Sequence, residues 1–258
     1  MSKKVAVITG SGRGIGKAIA ERLADEGYYV AIVDIDEVTA QSVARHINER
    51  KAQHAKYYVL DVSSRVSVFN LVDHVVDDFG RLDVFVNNAG IAYIDSIVDS
   101  EPEKVERLFD VNLKGTFWGI QAAAQQLKKQ GNGGRIINAA SLAAVEGSAL
   151  QGAYSASKFA IRGLGQSAAK ELAKYGITVN AYDPGIVITP LRDYIDQRTA
   201  KIKGTTAAKQ RQSVIDEIAL GRAATSEDVA DVVSFLVSSQ AKYITGQSIL
   251  IDGGMRFH

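Results

Sequence analysis

Tyr154 and Lys158 stand four residues apart in Tyr154-Ser155-Ala156-Ser157-Lys158, so a helix places both on one face. A free tyrosine titrates near ~10 and is a poor acid or base at neutral pH. A neighbouring ammonium stabilises the phenolate and brings the phenol toward the range useful for general acid–base catalysis. Taken alone, five residues are better read as an incidental pair on a surface helix. A second constellation is Thr9-Gly10-Ser11-Gly12-Arg13-Gly14-Ile15-Gly16, directly after the apolar run Val5 to Ile8. Glycines there let the backbone turn tightly and approach a pyrophosphate, and a following helix offers unpaired N–H groups to its charge. Asp34, closing the second apolar run, could accept hydrogen bonds from ribose hydroxyls and repel a 2′-phosphate. Arg13 points the other way, because a guanidinium in the loop could reach that phosphate. A carboxylate fixed beside the 2′ position outweighs an arginine free to turn into water, so the reading is NAD over NADP.

These residues need elements to hold them. Short β-branched runs recur at 5–8, 29–33, 56–60, 84–86, 135–138, 177–180 and 248–251, most apolar on both faces, as in buried parallel strands. Helical spacing starts at Ile15, Ile19 and Leu23 and recurs at 37–50, 65–79, 103–128, 154–174 and 226–238. Strands alternating with helices predict an α/β fold: a doubly wound, seven-stranded parallel sheet of Rossmann type with helices on both faces. Ser141 and Asn87-Asn88-Ala89-Gly90 then follow strands at the carboxyl edge of the sheet, where such folds bind ligands. With only Pro102, Pro184 and Pro190 and no flexible linker, the whole of 1–258 reads as one domain.

The 258 residues carry 30 Lys and Arg against 29 Asp and Glu, a net charge of +1, which gives no sign of a nucleic-acid partner. Absence of cysteine excludes thiolate metal sites, disulfide scaffolds and cysteine nucleophiles. His46, His54, His74 and His258 are scattered without ligand spacing, so no metal is expected. The longest uncharged run, Gly115 to Leu127, is too short to span a membrane. Four apolar residues after Met1-Ser2-Lys3-Lys4 are too few for a signal peptide, and the expected location is the cytoplasm.

Thr9-Gly10-x-x-x-Gly14-Ile15-Gly16, Asn87-Asn88-Ala89-Gly90, Ser141, Tyr154-x-x-x-Lys158 and Pro184-Gly185-x-x-x-Thr189 occur in an order and spacing that resemble the short-chain dehydrogenase/reductase family. The resemblance spans nearly the whole chain. It implies a nicotinamide-dependent oxidoreductase, usually a homotetramer. By that similarity Tyr154 is the general acid/base, and Lys158 lowers its pKa and holds the nicotinamide ribose. Ser141 positions the substrate carbonyl and Asn112 holds a water in the proton relay. The cofactor residues carried over are Gly10, Gly12, Arg13, Gly14, Ile15, Gly16, Asp34, Asn88, Ala89, Gly90, Pro184 and Gly185. Asp61-Val62 would flank the adenine, and Val187 with Thr189 the carboxamide.

Within the family the chain resembles the acetoin/diacetyl reductases, also called 2,3-butanediol dehydrogenases, over Phe117 to Ala123, Gly134 to Ser141, Lys158 to Leu164 and Ile244 to Met255. The residues expected at the substrate, Leu142, Ala143, Ala144, Ser148, Ile186 and Val187, are small or apolar and include no cation. Such a pocket suits a small uncharged ketone or vicinal diol, with Leu142 and Ser148 placed to choose the face attacked. A polyol dehydrogenase and a 3-oxoacyl thioester reductase are alternatives on the same framework, and a non-catalytic NAD sensor is one of another class. The segment 190–219 departs from the strand–helix alternation, and its stretch 201–211 holds Lys201, Lys203, Lys209 and Arg211 with no acid. It is either a solvated helical face or a mobile substrate lid past the end of a strand.

Overall fold

The computed structural model describes residues 3–257; Met1, Ser2 and His258 lie outside the described residues. Seven strands form one parallel sheet: β1 (Lys4–Thr9), β2 (Tyr28–Asp34), β3 (Ala55–Val59), β4 (Val84–Asn87), β5 (Gly134–Ala139), β6 (Ile177–Pro184) and β7 (Ser248–Ile251). Their order is β3-β2-β1-β4-β5-β6-β7. Order reverses between β1 and β4, which opens a crevice at the carboxyl ends of those strands. Each strand lies where an apolar run predicts it.

Both sheet faces are buried. Residues of one parity, such as Ile8, Val30 and Tyr182, pack under α1 (Gly14–Asp25), α2 (Glu37–Arg50) and α9 (Ser226–Val237). Residues of the other parity, such as Val7, Phe85 and Val179, pack under α3 (Arg65–Phe79), α5 (Gly115–Gln130) and α6 (Gly152–Leu172). Full burial of one such side chain contributes about 1.5–3 kcal/mol. Caps set the helix ends: Asp36 accepts from Val38 and Thr39 N–H at the start of α2, and Ser64 accepts from Ser67 at the start of α3. Thr225 and Asp228 form a capping box on α9.

The segment predicted as one helix over 103–128 is interrupted. It forms α4 (Pro102–Phe109), a π-helical turn at Asp110–Lys114 and then α5. Segment 190–219 contains two helices, α7 (Pro190–Lys203) and α8 (Ala207–Ile215). Lys201, Lys203 and Lys209 are exposed, whereas Arg211 turns inward onto Asp193 and Asp196. Among the described residues no helix is long and apolar enough to cross a membrane.

Candidate active site

The glycine loop lies at the β1/β4 switch. Gly10 has φ +64°, and a Cβ there would come 2.8 Å from Ala89 Cα, so the loops after β1 and β4 touch backbone to backbone. Asn88 ties them: its Nδ2 donates to the carbonyls of Thr9 (2.8 Å) and Gly10 (2.9 Å), and its Oδ1 accepts from the Tyr182 hydroxyl (2.8 Å). The side chain of Asn88 is thus a strut, and Ala89 and Gly90 continue the wall of the crevice. Helix α1 starts at Gly14 with Arg13 as an uncapping N-cap residue and no acid in its first turn, which leaves backbone donors for an anion. Ile15 packs on the core and Gly16 is buried behind the loop. Asp34 accepts from Gly12 N–H at 2.9 Å and from Asp36 N–H at 3.2 Å, while Arg13 is exposed. These groups could hold a diphosphate and a ribose respectively.

Further along the edge, Asp61 takes Arg107 at 2.7 Å and the Ser63 hydroxyl at 2.8 Å. Although partial burial alone raises its carboxyl, those hydrogen bonds win and hold it below the usual range. Val62 packs against Gly115, where a Cβ would meet it at 2.9 Å. On the opposite wall, Pro184 ends β6, Gly185 N–H donates to Ile251 at 3.0 Å, and Val187 pairs with Ala224. Thr189 caps α7 and its methyl group lies over Gly14.

Tyr154 and Lys158 sit one turn apart on α6, both buried. Lys158 Nζ is 5.5 Å from the centre of the Tyr154 ring and donates to the Ala139 carbonyl at 2.7 Å. Burial pushes Lys158 down to about 8, with the Asp183 charge opposing it. Tyr154 packs with Tyr93, Leu108 and Ala143. Burial raises its phenol pKa, while the Ser141 side chain and the Arg192 charge pull it down. Ser141 follows β5 and caps a short turn at Leu142–Ala144, accepting from Ala143 N–H at 3.2 Å. Asn112 lies in the π-helical turn: its Oδ1 accepts from Ile91 N–H (2.9 Å), and its Nδ2 donates to the Ile91 carbonyl (2.9 Å) and Ser157 Oγ (3.2 Å). Gly90 keeps the floor open, since a Cβ there would stand 3.3 Å from Asn112 Oδ1 and 3.6 Å from Lys158 Nζ.

The expected substrate residues divide. Ala143, Ala144, Ile186 and Val187 are buried, Leu142 is half-buried, and Ser148 is exposed on the segment before α6. Two charged residues escaped the sequence reading. Asp183 is fully buried on β6, accepts from Ser248 Oγ at 2.6 and 2.7 Å, and is pushed up to about 6 by burial. A lone acid inside an apolar strand was the signal for it. Arg192, in the first turn of α7, is the second: its charge pulls the Tyr154 phenol down against the effect of burial. Its signal was its place three residues after Thr189.

A parallel sheet with a glycine-lined crevice at its switch point and a buried Tyr–Lys pair across it defines a dinucleotide-fold dehydrogenase site. The family model described as short chain dehydrogenase matches residues 4–200. The chain is 42% identical to an L-2,3-butanediol dehydrogenase of Corynebacterium glutamicum, covering 99% of each. It is 46% identical to an (S)-acetoin-forming diacetyl reductase of Staphylococcus aureus, again over 99% of each. It also superposes on an NAD+-bound xylitol dehydrogenase with TM-score 0.93 at 33% identity, covering 97% of this chain and 98% of that one. The chain belongs to the short chain dehydrogenase family and is an oxidoreductase.

Proposed function

We propose that this enzyme reversibly reduces diacetyl to acetoin and acetoin to 2,3-butanediol with NADH. The observation that carries the chemistry is the buried Tyr154–Lys158 pair beside Ser141, at the mouth of a glycine-lined crevice. The printed names of relatives at 42–46% identity over nearly full length support the substrate. The crevice fits the cofactor: backbone donors at the start of α1 suit the diphosphate, Asp34 a ribose, and the space kept by Gly90 a flat ring beside Lys158. Asp34 supports NAD over NADP, and an NAD+-bound neighbour in the family agrees with that choice.

A bound NADH supplies the hydride to the carbonyl carbon. Ser141 donates to the carbonyl oxygen and fixes its position. The Tyr154 hydroxyl then gives its proton to that oxygen, leaving a phenolate that the Lys158 ammonium stabilises. In the oxidation the same proton returns. Asn112 spends its side-chain amide on Ile91 and Ser157, which holds the loop after β4 against α6, and its carbonyl accepts from Thr116 Oγ1 at 2.7 Å; its part in a proton relay rests on the family resemblance.

Helices α7 and α8 act as the substrate lid. Arg198 holds α7 to the Ile94 carbonyl (3.1 Å) and to Asp95 (2.7 Å), and Asp95 N–H donates to the Leu150 carbonyl just before α6. One shared sheet supports a single domain over 1–258. Exposed Phe117 on α5 and Phe159 on α6, with Phe235 on α9 and Tyr243, support a homotetramer, which light scattering tests.

The test is NADH oxidation over diacetyl, acetoin, fructose and an acetoacetyl thioester, with chiral resolution of products. Diacetyl or acetoin should lead; a leading thioester or fructose overturns the substrate. Tyr154→Phe should lower turnover by about 10²–10⁴-fold and still bind NADH. Full residual activity would refute the mechanism.

A further inference from the structure

Beyond β7 the chain makes a sharp turn. Asp252 is buried, and its two oxygens accept from Gly254 N–H at 3.0 Å and from Arg256 N–H at 2.8 Å. Gly253 (φ +67°) and Gly254 (φ +80°) supply the left-handed backbone that these bonds close around. A Cβ on Gly253 would stand 2.6 Å from Ile218, and the Gly253 carbonyl accepts from Leu220 N–H at 3.0 Å. The turn therefore lies directly on the segment that follows α8.

This turn aims Arg256 at two walls at once. Its Nε donates to Glu146 at 2.5 Å and its Nη2 to Glu217 at 3.0 Å, while Nη1 donates to the Met255 carbonyl at 2.7 Å. All three nitrogens of the guanidinium are committed. Glu217 stands two residues after α8, at the end of the lid. Glu146 belongs to the segment between Ser141 and Tyr154, and its N–H donates to the Leu142 carbonyl at 3.2 Å, in the turn that Ser141 caps. A continuous set of contacts thus runs from Ser141 through Glu146 and Arg256 to the lid.

We propose that Arg256 is a positioning residue that ties the Ser141 segment to the lid, so that both sides of the substrate mouth close together on a ketone. This rests on the ketone-reductase and lid readings above. No covalent step is added; Arg256 acts through Glu146 and Glu217.

Charge lets the tie form and release. The side chains of Arg256, Glu146 and Glu217 are 34%, 52% and 46% exposed, so water and salt reach every member. Two such pairs together are worth roughly a 3–10-fold change in an equilibrium constant, enough to bias a mouth toward closure without sealing it. Without the guanidinium the two carboxylates repel each other, which favours opening further. The proposed substrates are uncharged, so a salt-dependent ketone KM reports ion pairs within the protein.

The experiment compares wild type, Arg256→Gln, Glu146→Gln and the double variant at saturating NADH. Arg256→Gln should raise KM for diacetyl and acetoin about 3–10-fold, with kcat and the NADH Kd held within about twofold. Raising NaCl from about 0.05 to 0.5 M should narrow the gap between wild type and variant, because salt weakens exposed pairs. The double variant should raise KM no further than the larger single effect. A KM change below about twofold overturns the tie, as does a gap that salt leaves unchanged or single effects that multiply. An NADH Kd that rises with KM also overturns it, since that marks general loosening. Amide hydrogen exchange on the NADH-bound protein needs no substrate: Arg256→Gln should speed exchange over both 142–151 and 207–220. Faster exchange in one of these segments alone overturns the tie. A wild type that reduces no ketone overturns the function instead and leaves exchange to decide the tie.

Discussion

Replacing Asp34 by serine should convert an NADH enzyme into one that tolerates NADPH. The carboxylate sits at the end of β2 with one oxygen on Gly12 N–H of the glycine loop at 2.9 Å and the other on Asp36 N–H at the start of α2 at 3.2 Å, so both oxygens are fixed. A 2′-phosphate brought within about 5 Å would meet it at ~0.8 kcal/mol per pair of unit charges in water, and ~3 kcal/mol at an effective dielectric constant of 20. Asp34 is half-buried, so the lower figure is the safer guide; with nearly two charges on the phosphate the repulsion is about 2 kcal/mol. Loss of charge-assisted hydrogen bonds to the ribose costs NADH a further ~1.5–3 kcal/mol. Together these, about 3.5–5 kcal/mol, move the NADH to NADPH preference by roughly 400–5,000-fold. The assay is the ratio of Kd values from nicotinamide fluorescence, which needs no knowledge of the substrate. Damage to the loop through Gly12 weakens both cofactors alike and leaves the ratio untouched. Arg13, exposed beside the loop, should supply the new contact, so Arg13→Ala added to Asp34→Ser should lose the gained NADPH affinity. A wild type that prefers NADPH, or a ratio moved by less than tenfold, would refute the reasoning.

Three more outcomes follow from the site. Lys158 is pushed down to about 8 with Asp183 opposing, so ketone reduction should fall as pH rises through about 8 and the ammonium is lost. Asp183→Asn removes the opposing charge and should shift that limb roughly one unit lower in a pH profile of kcat/KM; an unmoved limb contradicts the coupling. Gly16→Ala would put a Cβ 2.3 Å from the Gly10 carbonyl and 2.4 Å from Asn88 Nδ2. Overpacking of about 1–3 kcal/mol should lower Tm by roughly 3–10 °C and weaken NADH binding, and an unchanged melting curve argues against the loop contact. Arg198→Ala frees α7 from Ile94 and Asp95 and should raise the substrate KM about 3–10-fold with faster proteolysis near Gly204; unchanged KM and cleavage remove the lid role.

What the sequence could and could not convey follows from where each interaction is made. Most strands were legible because they are buried on both faces, and a run such as Val30 to Val33 carries that burial in its own residues. The glycine loop and the Tyr154–Lys158 pair were legible for the same reason: each works within one turn or one helix. The break in 103–128 was not, because Asn112 there is drawn to the backbone of Ile91, a contact between elements that helical periodicity does not encode. Charge counting misjudged 201–211 because the acids that neutralise Arg211 stand at 193 and 196, before the window begins. Asp183 shows the limit most clearly. Its parity puts it on the face of β6 shared with Ala181, and Ala181 packs with Ile161 of α6, the helix that carries Lys158. Only once β6 is known to lie beneath α6 does an acid before Pro184-Gly185 become the counter-charge of a lysine 25 positions earlier.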